Sequence, residues 1–105
     1  MAAKEQRETF YTGTAVADGT WIDVYDYEVP WSLDFEGPVA GDTVSVHVSN
    51  QKTAPASADH ERTYGAAVAA ATTRAITEPY RWCKIRRIDA GASAVISVYV
   101  AAHLK

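Results

Sequence analysis

The side chains best suited to acid–base or metal chemistry in this chain are its three histidines, His47, His60 and His103. A metal site needs a second ligand two residues away on a strand or four away on a helix, and no histidine here has one. The tightest cluster of titratable groups is Asp59, His60 and Glu61. Neighbours on an extended chain point to opposite sides, so this spacing favours a solvated loop. A small enzyme that uses His60 with Asp59 or Glu61 stays open as an alternative.

The second candidate for chemistry is Cys83, the single cysteine of the chain. Its neighbours Arg81, Lys84, Arg86 and Arg87 are cations that could lower the pKa of the thiol. A catalytic cysteine also needs a positioned histidine, and the sequence indicates none. We therefore expect Cys83 to be buried as a small hydrophobic residue. A single cysteine also excludes an internal disulfide bond.

Carboxylates lie along two neighbouring segments: Asp23, Asp26, Glu28, Asp34 and Glu36. Paired acids can hydrolyse glycosides, but such enzymes need a cleft that a domain of this length rarely forms. A solvated sheet face is the favoured interpretation. The chain also has no glycine-rich phosphate loop, no nucleophile elbow and no zinc motif. We predict that the protein is not an enzyme and has no catalytic residue, no cofactor and no metal ligand.

Strands must position these side chains, because apolar and polar residues alternate along much of the sequence. Val44, Val46 and Val48 share one face of the segment 43–49 and small polar residues share the other, which is typical of a half-buried strand. Residues 31–36 repeat the pattern. Their predicted inward side chains are Trp31, Leu33 and Phe35.

Further strands are predicted at residues 20–28, 80–88 and 93–101. The last two flank Asp89–Ala92, and together they predict a hairpin. Residues 61–75 are ambiguous, because their many alanines favour a helix while a glycine and several β-branched residues favour strands. We prefer one or two small-residue strands there.

These short strands predict an all-β fold, a two-sheet antiparallel β-sandwich of jelly-roll or immunoglobulin-like topology with about seven or eight strands. The 105 residues suit a single domain, with residues 1–8 expected to form a flexible N-terminal arm. Residues 51–60 are small and polar, and they predict a long exposed loop of the kind that often carries binding.

Composition narrows the choice of partners. The net charge of −3 and pI near 5.5 argue against nonspecific nucleic-acid binding, which needs a basic surface. The polar start of the chain predicts neither a signal peptide nor a membrane anchor. We therefore expect a soluble protein made in a cytoplasm, with no nucleic acid and no membrane among its partners.

Two features predict a binding surface. If Ile22 and Val24 point inward, then Trp21, Tyr25 and Tyr27 point outward, and exposed aromatic residues often mark contact patches. The segment 80–87 adds cations that could pair with Asp34 or Glu36, or with a neighbouring subunit. The candidate interface residues are Trp21, Tyr25, Tyr27, Arg81, Arg86, Arg87 and His60.

A family resemblance covers about half of the chain. The segment Glu78–Ile88, a glycine turn and the segment Ser93–Val100 resemble the closing strands of small β-sandwich virion proteins of tailed bacteriophages. Gly41–Val48 is similar to the central strand that precedes them in that family. The alanine-rich segment departs from the larger residues usual there, which leaves the number of strands open.

The resemblance implies a capsid cementing or decoration protein with a jelly-roll fold. It would be a homo-oligomer, often a trimer, that clamps adjacent subunits of the major capsid protein in the virion after synthesis in the host bacterial cytoplasm. A carbohydrate-binding or receptor-binding sandwich from a phage tail or a secreted enzyme is the alternative, in which Trp21 or Trp31 would stack on sugar rings.

Overall fold

The computed structural model describes residues 4–13, 17–36, 42–57, 60–90 and 95–105. Within these residues the chain forms nine β-strands and no α-helix. In chain order the strands are β1 (Lys4–Gly13), β2 (Ala17–Asp18), β3 (Ile22–Asp23), β4 (Tyr27–Glu36), β5 (Asp42–Ser49), β6 (Arg62–Thr63), β7 (Thr72–Ile76), β8 (Trp82–Ala90) and β9 (Ile96–Leu104).

The strands form two antiparallel sheets. The first has the order β1-β9-β4-β7, and the second has the order β2-β8-β5-β6, with β3 also paired to β8. Because β2 and β3 occupy the same side of β8, each sheet has four strand positions, and the chain passes back and forth between the sheets. This is the strand order of a jelly roll, so the all-β sandwich expected from the sequence is confirmed.

The core lies between the sheets and is built from the alternating residues identified in the sequence. Val44, Val46 and Val48 are buried as predicted. The inward faces of β4 and β9 are buried as well, with Trp31, Leu33, Phe35, Ile96, Val98 and Val100. Burying each of these large side chains stabilises the fold by about 1.5–3 kcal/mol, which explains why the period of two governs the whole architecture.

Two predictions, one on strand pairing and one on the start of the chain, are wrong. The segments 80–88 and 93–101 do not form a hairpin, because β8 pairs with β5 in one sheet while β9 lies between β1 and β4 in the other. Residues 4–8 are not part of a flexible arm, because they belong to β1 and pair with β9. Residues 1–3 lie outside the described residues, as do residues 91 and 92 of the predicted hairpin turn at 89–92.

The predicted strand at 20–28 is also wrong, because it is broken by a turn at Tyr25–Asp26. The first part of this segment is β3, which pairs with β8 in the second sheet. Its last residues begin β4, which belongs to the first sheet. The preference for strands over a helix in residues 61–75 is confirmed. This segment contains β6, an isolated bridge between Val44 and Val68, and the start of β7.

The segment from Gly19 to Val24 follows the edge of β8 and positions the aromatic residues near it. The Gly19 N–H donates a hydrogen bond to the Ile85 carbonyl at 2.7 Å, and the Val24 N–H donates to the Arg81 carbonyl at 2.9 Å. A Cβ atom on Gly19 would lie 2.5 Å from the same Ile85 oxygen. Glycine is therefore needed for this close approach, which holds Trp21 beside the outer face of β8.

Candidate functional site

The outer face of the second sheet carries polar side chains that are buried. Ser45, His47 and Ser49 come from β5 and Lys84 from β8, and all four lie below a tenth of their full exposure. They are covered by residues 50–57, His60 and Glu61, which we call the covering segment. The Ser49 hydroxyl donates to the His60 carbonyl at 2.7 Å, and the Trp82 indole N–H donates to the Gln51 carbonyl at 3.0 Å.

Glu61 is the central acid of this face. Its carboxylate lies 2.9 Å from His47 Nδ1, 3.2 Å from Lys84 Nζ and 3.4 Å from Arg86 Nη2. His47 Nε2 lies in turn 2.6 Å from Ser45 Oγ. These five residues form what we call the Glu61 network. Buried charges are tolerated only when they are paired, so Glu61 fixes the covering segment to the sheet.

Two contacts of the His47 ring, with Glu61 and with Ser45, constrain its tautomer. An ionised carboxylate only accepts hydrogen bonds, so the Nδ1–H of His47 donates to Glu61. In the neutral ring the other nitrogen, Nε2, then accepts the proton of the Ser45 hydroxyl.

Trp21 closes the network on one side. The Lys84 ammonium lies 4.6 Å from the centroid of the Trp21 ring, which is within cation–π range. A cavity of about 260 Å³ lies between Trp21, residues 55–57 and the Glu61, Lys84 and Arg86 side chains.

A larger open groove runs along the other side of the covering segment, with a volume of about 640 Å³. His60, Arg62 and Tyr80 line it together with residues 48–51 and Glu61. The Tyr80 ring packs edge-on against Tyr64, with the ring centroids 5.7 Å apart. Burial, with a smaller contribution from Glu78, raises the pKa of the Tyr80 phenol, so this hydroxyl stays a neutral hydrogen-bond group in the groove.

A third feature lies on the surface where β8 begins and β9 ends. Tyr25 is 59% exposed, and two cations contact its ring: Arg81, with Cζ 5.0 Å from the centroid, and Lys105, with Nζ 5.4 Å from it. Arg81 also lies 5.8 Å from the Trp82 ring. We call Tyr25, Arg81, Trp82 and Lys105 the basic aromatic patch. Asp23 holds it in place by accepting the Tyr25 N–H at 2.9 Å and by lying 3.9 Å from Arg81.

The predicted interface residues are divided among these features. Tyr25 and Arg81 belong to the patch, and Trp21 lies at the edge of the small cavity. Arg86 belongs to the Glu61 network, and His60 lines the groove. The structure thus brings the candidates together only in pairs, Tyr25 with Arg81 in the patch and Trp21 with Arg86 at the small cavity.

Two candidates are not on the surface, which corrects the prediction. Tyr27 is 7% exposed because the turn at Tyr25–Asp26 reverses the phase of the chain, and its ring packs edge-on against Trp31 at 5.1 Å. Arg87 is 0% exposed because it continues the inward row of Cys83 and Ile85 on β8. Trp31, which could have stacked on sugar rings, is a core residue at 2% exposure.

The expected ion pairs of the cations with Asp34 or Glu36 are also replaced. Arg81 pairs with Asp23, and Lys84 and Arg86 pair with Glu61. The reason is topological: Asp34 and Glu36 lie on β4 in the first sheet, whereas these cations belong to β8 or the turn before it in the second.

Cys83 is buried, as expected, and burial raises the pKa of its thiol well above the ordinary value. Lys84 and Arg86 point to the opposite face of β8, and burial outweighs any effect of Arg87, which shares the inward face with Cys83. A buried, protonated thiol is neither a nucleophile nor a metal ligand.

Sequence reasoning missed the roles of Ser45, Lys84 and Lys105, and it treated Glu61 as a solvated loop residue. The alternation did place Ser45 and His47 on one face of β5. No signal in the sequence shows that the covering segment returns over that face, which is what buries them.

Comparison of the chain with protein-family models, with curated proteins and with solved structures finds no match. In the described ranges, no helix is long and apolar enough to cross a membrane. Among the same residues, no group of three or more histidines, cysteines or acids is placed to hold a metal ion.

Proposed function

We propose that the chain is a structural protein of a bacteriophage virion, a capsid cementing or decoration protein that stabilises contacts between major capsid subunits. The observation that carries this proposal is the basic aromatic patch. Tyrosine, tryptophan and arginine are the residues most enriched among those that dominate binding energy at protein interfaces.

The geometry of the patch suits a protein partner. The exposed ring of Tyr25 is held between Arg81 and Lys105, so little side-chain entropy is lost when it is covered. The Arg81 side chain is only 36% exposed and already positioned by Asp23. A preformed aromatic anchor with two cations fits a surface that offers an apolar pocket with acidic groups at its rim.

The fold and the sequence resemblance support the virion role. The segments that resemble phage virion proteins are β5, β8 and β9, with the residues that lead into them. A cement acts by adding interface area across subunit joints, and each bound copy stabilises the shell by its own association free energy. Self-association into a trimer would multiply the contacts of each bound unit.

The test uses shells assembled from a major capsid protein, which under this proposal is encoded in the same phage genome as the chain. We expect the purified chain to sediment with these shells. Tyr25→Ala and Arg81→Ala should each weaken binding about tenfold or more, because each removes an anchor worth at least about 1.4 kcal/mol.

Matched controls are available for both variants. Val95→Ala removes a side chain that is 62% exposed, close to the exposure of Tyr25. Val95 precedes β9 whereas Lys105 follows it, so the length of a nine-residue strand, about 30 Å, separates it from the patch. Arg62→Ala removes an exposed arginine that lines the groove. Equal loss of binding in the controls, or no binding by the unmodified chain, would refute the proposal.

The groove supports a second candidate, a carbohydrate-binding module. It combines the half-buried Tyr80 ring with the polar side chains of Asn50, His60 and Arg62, and sugars are bound by such combinations of a stacking face and hydrogen-bonding groups. Glycan-array binding that is abolished by Tyr80→Ala and unchanged by Tyr25→Ala would favour this function over the first. Binding that depends on Tyr25 and not on Tyr80 would exclude it.

A further inference from the structure

The first half of β1 is an open edge of the first sheet. β1 is the outermost strand of this sheet, and among the residues that the structure describes only β9 pairs with it. The register between β1 and β9 is regular from Lys4 to Thr9 and shifts between Thr9 and Tyr11, where a bulge ends the regular part. An edge strand presents a row of backbone N–H and C=O groups on which a further strand can add.

The second half of β1 is closed by the chain itself. Tyr11 packs against the core, and a Cβ atom on Gly19, just after β2, would lie 3.0 Å from Tyr11 Cδ1. Phe10, at the bulge, is 7% exposed. The bulge and these contacts therefore confine an added strand to residues 4–9.

The sequence of this open edge is complementary in charge to itself. The first five residues of β1 are Lys4, Glu5, Gln6, Arg7 and Glu8. Antiparallel pairing of two copies with Gln6 opposite Gln6 sets Lys4 opposite Glu8. The same register sets Glu5 opposite Arg7, and the two-fold symmetry forms each pair twice. Opposite charges directly across from each other stabilise a strand pair, and like charges destabilise it.

The four neighbouring registers each bring like charges together. A shift by one residue sets Lys4 opposite Arg7 in one direction and, in the other direction, sets two glutamates opposite each other, Glu5 and Glu8. A shift by two residues sets either Glu5 or Arg7 opposite the same residue of the other copy. The charges therefore select one register, and they select a second copy of this chain as the partner.

We propose that the chain forms a symmetric dimer in which residues 4–8 of two copies pair antiparallel about Gln6. The pairing joins the two four-stranded first sheets into one continuous sheet. The same surface serves both copies, as in other two-fold interfaces, so this contact is distinct from the trimer that the resemblance implies. It goes beyond the structural role proposed above and uses none of the basic aromatic patch, so the two proposals stand or fall separately.

The first test is a disulfide across the two-fold axis. Directly opposite Cα atoms in antiparallel strands are about 4.5 or 5.5 Å apart, which is within the span of a disulfide. We expect Gln6→Cys to form a covalent dimer when the whole chain is oxidised with diamide, as measured by intact mass without reductant. The native Cys83 is 0% exposed, so the introduced cysteine is the thiol within reach.

Thr9→Cys is the matched control, because Thr9 is an exposed residue of the same strand. In the proposed register the two copies of residue 9 lie six residues apart along the paired strands, or about 20 Å. We expect this variant to stay monomeric under the same oxidation. Equal crosslinking of the two variants, or no crosslinking of Gln6→Cys, would overturn the proposed register.

The second test reverses the charges at the seam. Glu5→Arg alone and Arg7→Glu alone each set like charges opposite each other twice in the dimer. We expect each to raise the dissociation constant of the dimer about tenfold or more in sedimentation velocity. The double variant Glu5→Arg with Arg7→Glu recreates the opposite-charge pairs and should restore the dissociation constant of the unmodified chain. This restoration separates a contact between copies from an effect on folding.

A further control separates the dimer from the virion role. Tyr25→Ala combined with Arg81→Ala should dimerise like the unmodified chain, because the basic aromatic patch takes no part in the pairing. Three results would overturn the dimer without affecting the proposed function: a monomer at every concentration measured, a trimer in place of the dimer, or a dimer that the single charge reversals do not weaken.

Discussion

At the scale of single residues, the Glu61 carboxylate is the counter-charge of the buried cationic groups on the outer face of the second sheet. One carboxylate lies within 3.4 Å of a lysine, an arginine and a histidine, and its side chain is 8% exposed. The sequence placed Glu61 beside His60 but not against β8, because contacts between residues 61 and 84 depend on how the chain folds back.

Replacing Glu61 by alanine should destabilise the fold strongly. Glu61→Ala leaves the Lys84 ammonium buried without this counter-charge, so we expect the free energy of unfolding to fall by about 3–5 kcal/mol. Urea denaturation followed by tryptophan fluorescence measures the change. Glu36→Ala, at an exposed position, is the control and should stay within about 0.5 kcal/mol of the unmodified chain.

Cys83 should make the stability depend on alkaline pH. Burial raises the pKa of the folded thiol, while the unfolded thiol ionises near its ordinary value of 9.0. Below the pKa of the unfolded thiol, ionisation of Cys83 does not change the free energy of unfolding. Above that pKa, the free energy of unfolding decreases by about 1.4 kcal/mol per pH unit.

Cys83→Ala removes this dependence. Between about pH 8 and about pH 10, we expect the free energy of unfolding of the unmodified chain to fall by about 1.4 kcal/mol relative to that of the variant. Urea denaturation at the two pH values measures it. A difference that stays constant would mean that the thiol ionises equally in both states.

At the scale of elements, the inward rows of β4, β5 and β9 were predictable, because alternation reports directly which side of a strand is buried. The pairing of the strands was not. The predicted hairpin between residues 80–88 and 93–101 failed because closeness in sequence does not decide which sheet a strand joins. The phase of Tyr27 failed for a related reason: the turn at Tyr25–Asp26 carries the chain from one sheet to the other.

Val46→Asp tests the phase of β5. Val46 is 0% exposed between the sheets, and an unpaired carboxylate there cannot be hydrated. We expect no cooperative unfolding transition and loss of the β-sheet circular dichroism signal. Val95→Asp, at a position 62% exposed, should fold normally. A soluble Val46→Asp protein with a cooperative transition would contradict the assignment of this face to the core.

At the scale of the whole molecule, the jelly roll brings together residues from distant parts of the chain. The basic aromatic patch combines Tyr25 with residues 81, 82 and 105, and the Glu61 network combines residues from 45 to 86. Composition and alternation could predict the sandwich, because they report burial. They could not predict either cluster, because each depends on pairings between residues far apart in sequence.

The most direct test of the virion role is the thermal stability of the capsid shell itself. Shells assembled from the major capsid protein that the proposal expects in the same genome should melt at a higher temperature in calorimetry when the chain is added, since a ligand that binds only the assembled state stabilises it. Val95→Ala should give the same increase, and the double variant Tyr25→Ala with Arg81→Ala should give none. A melting temperature unchanged by saturating amounts of the unmodified chain would contradict the cementing role.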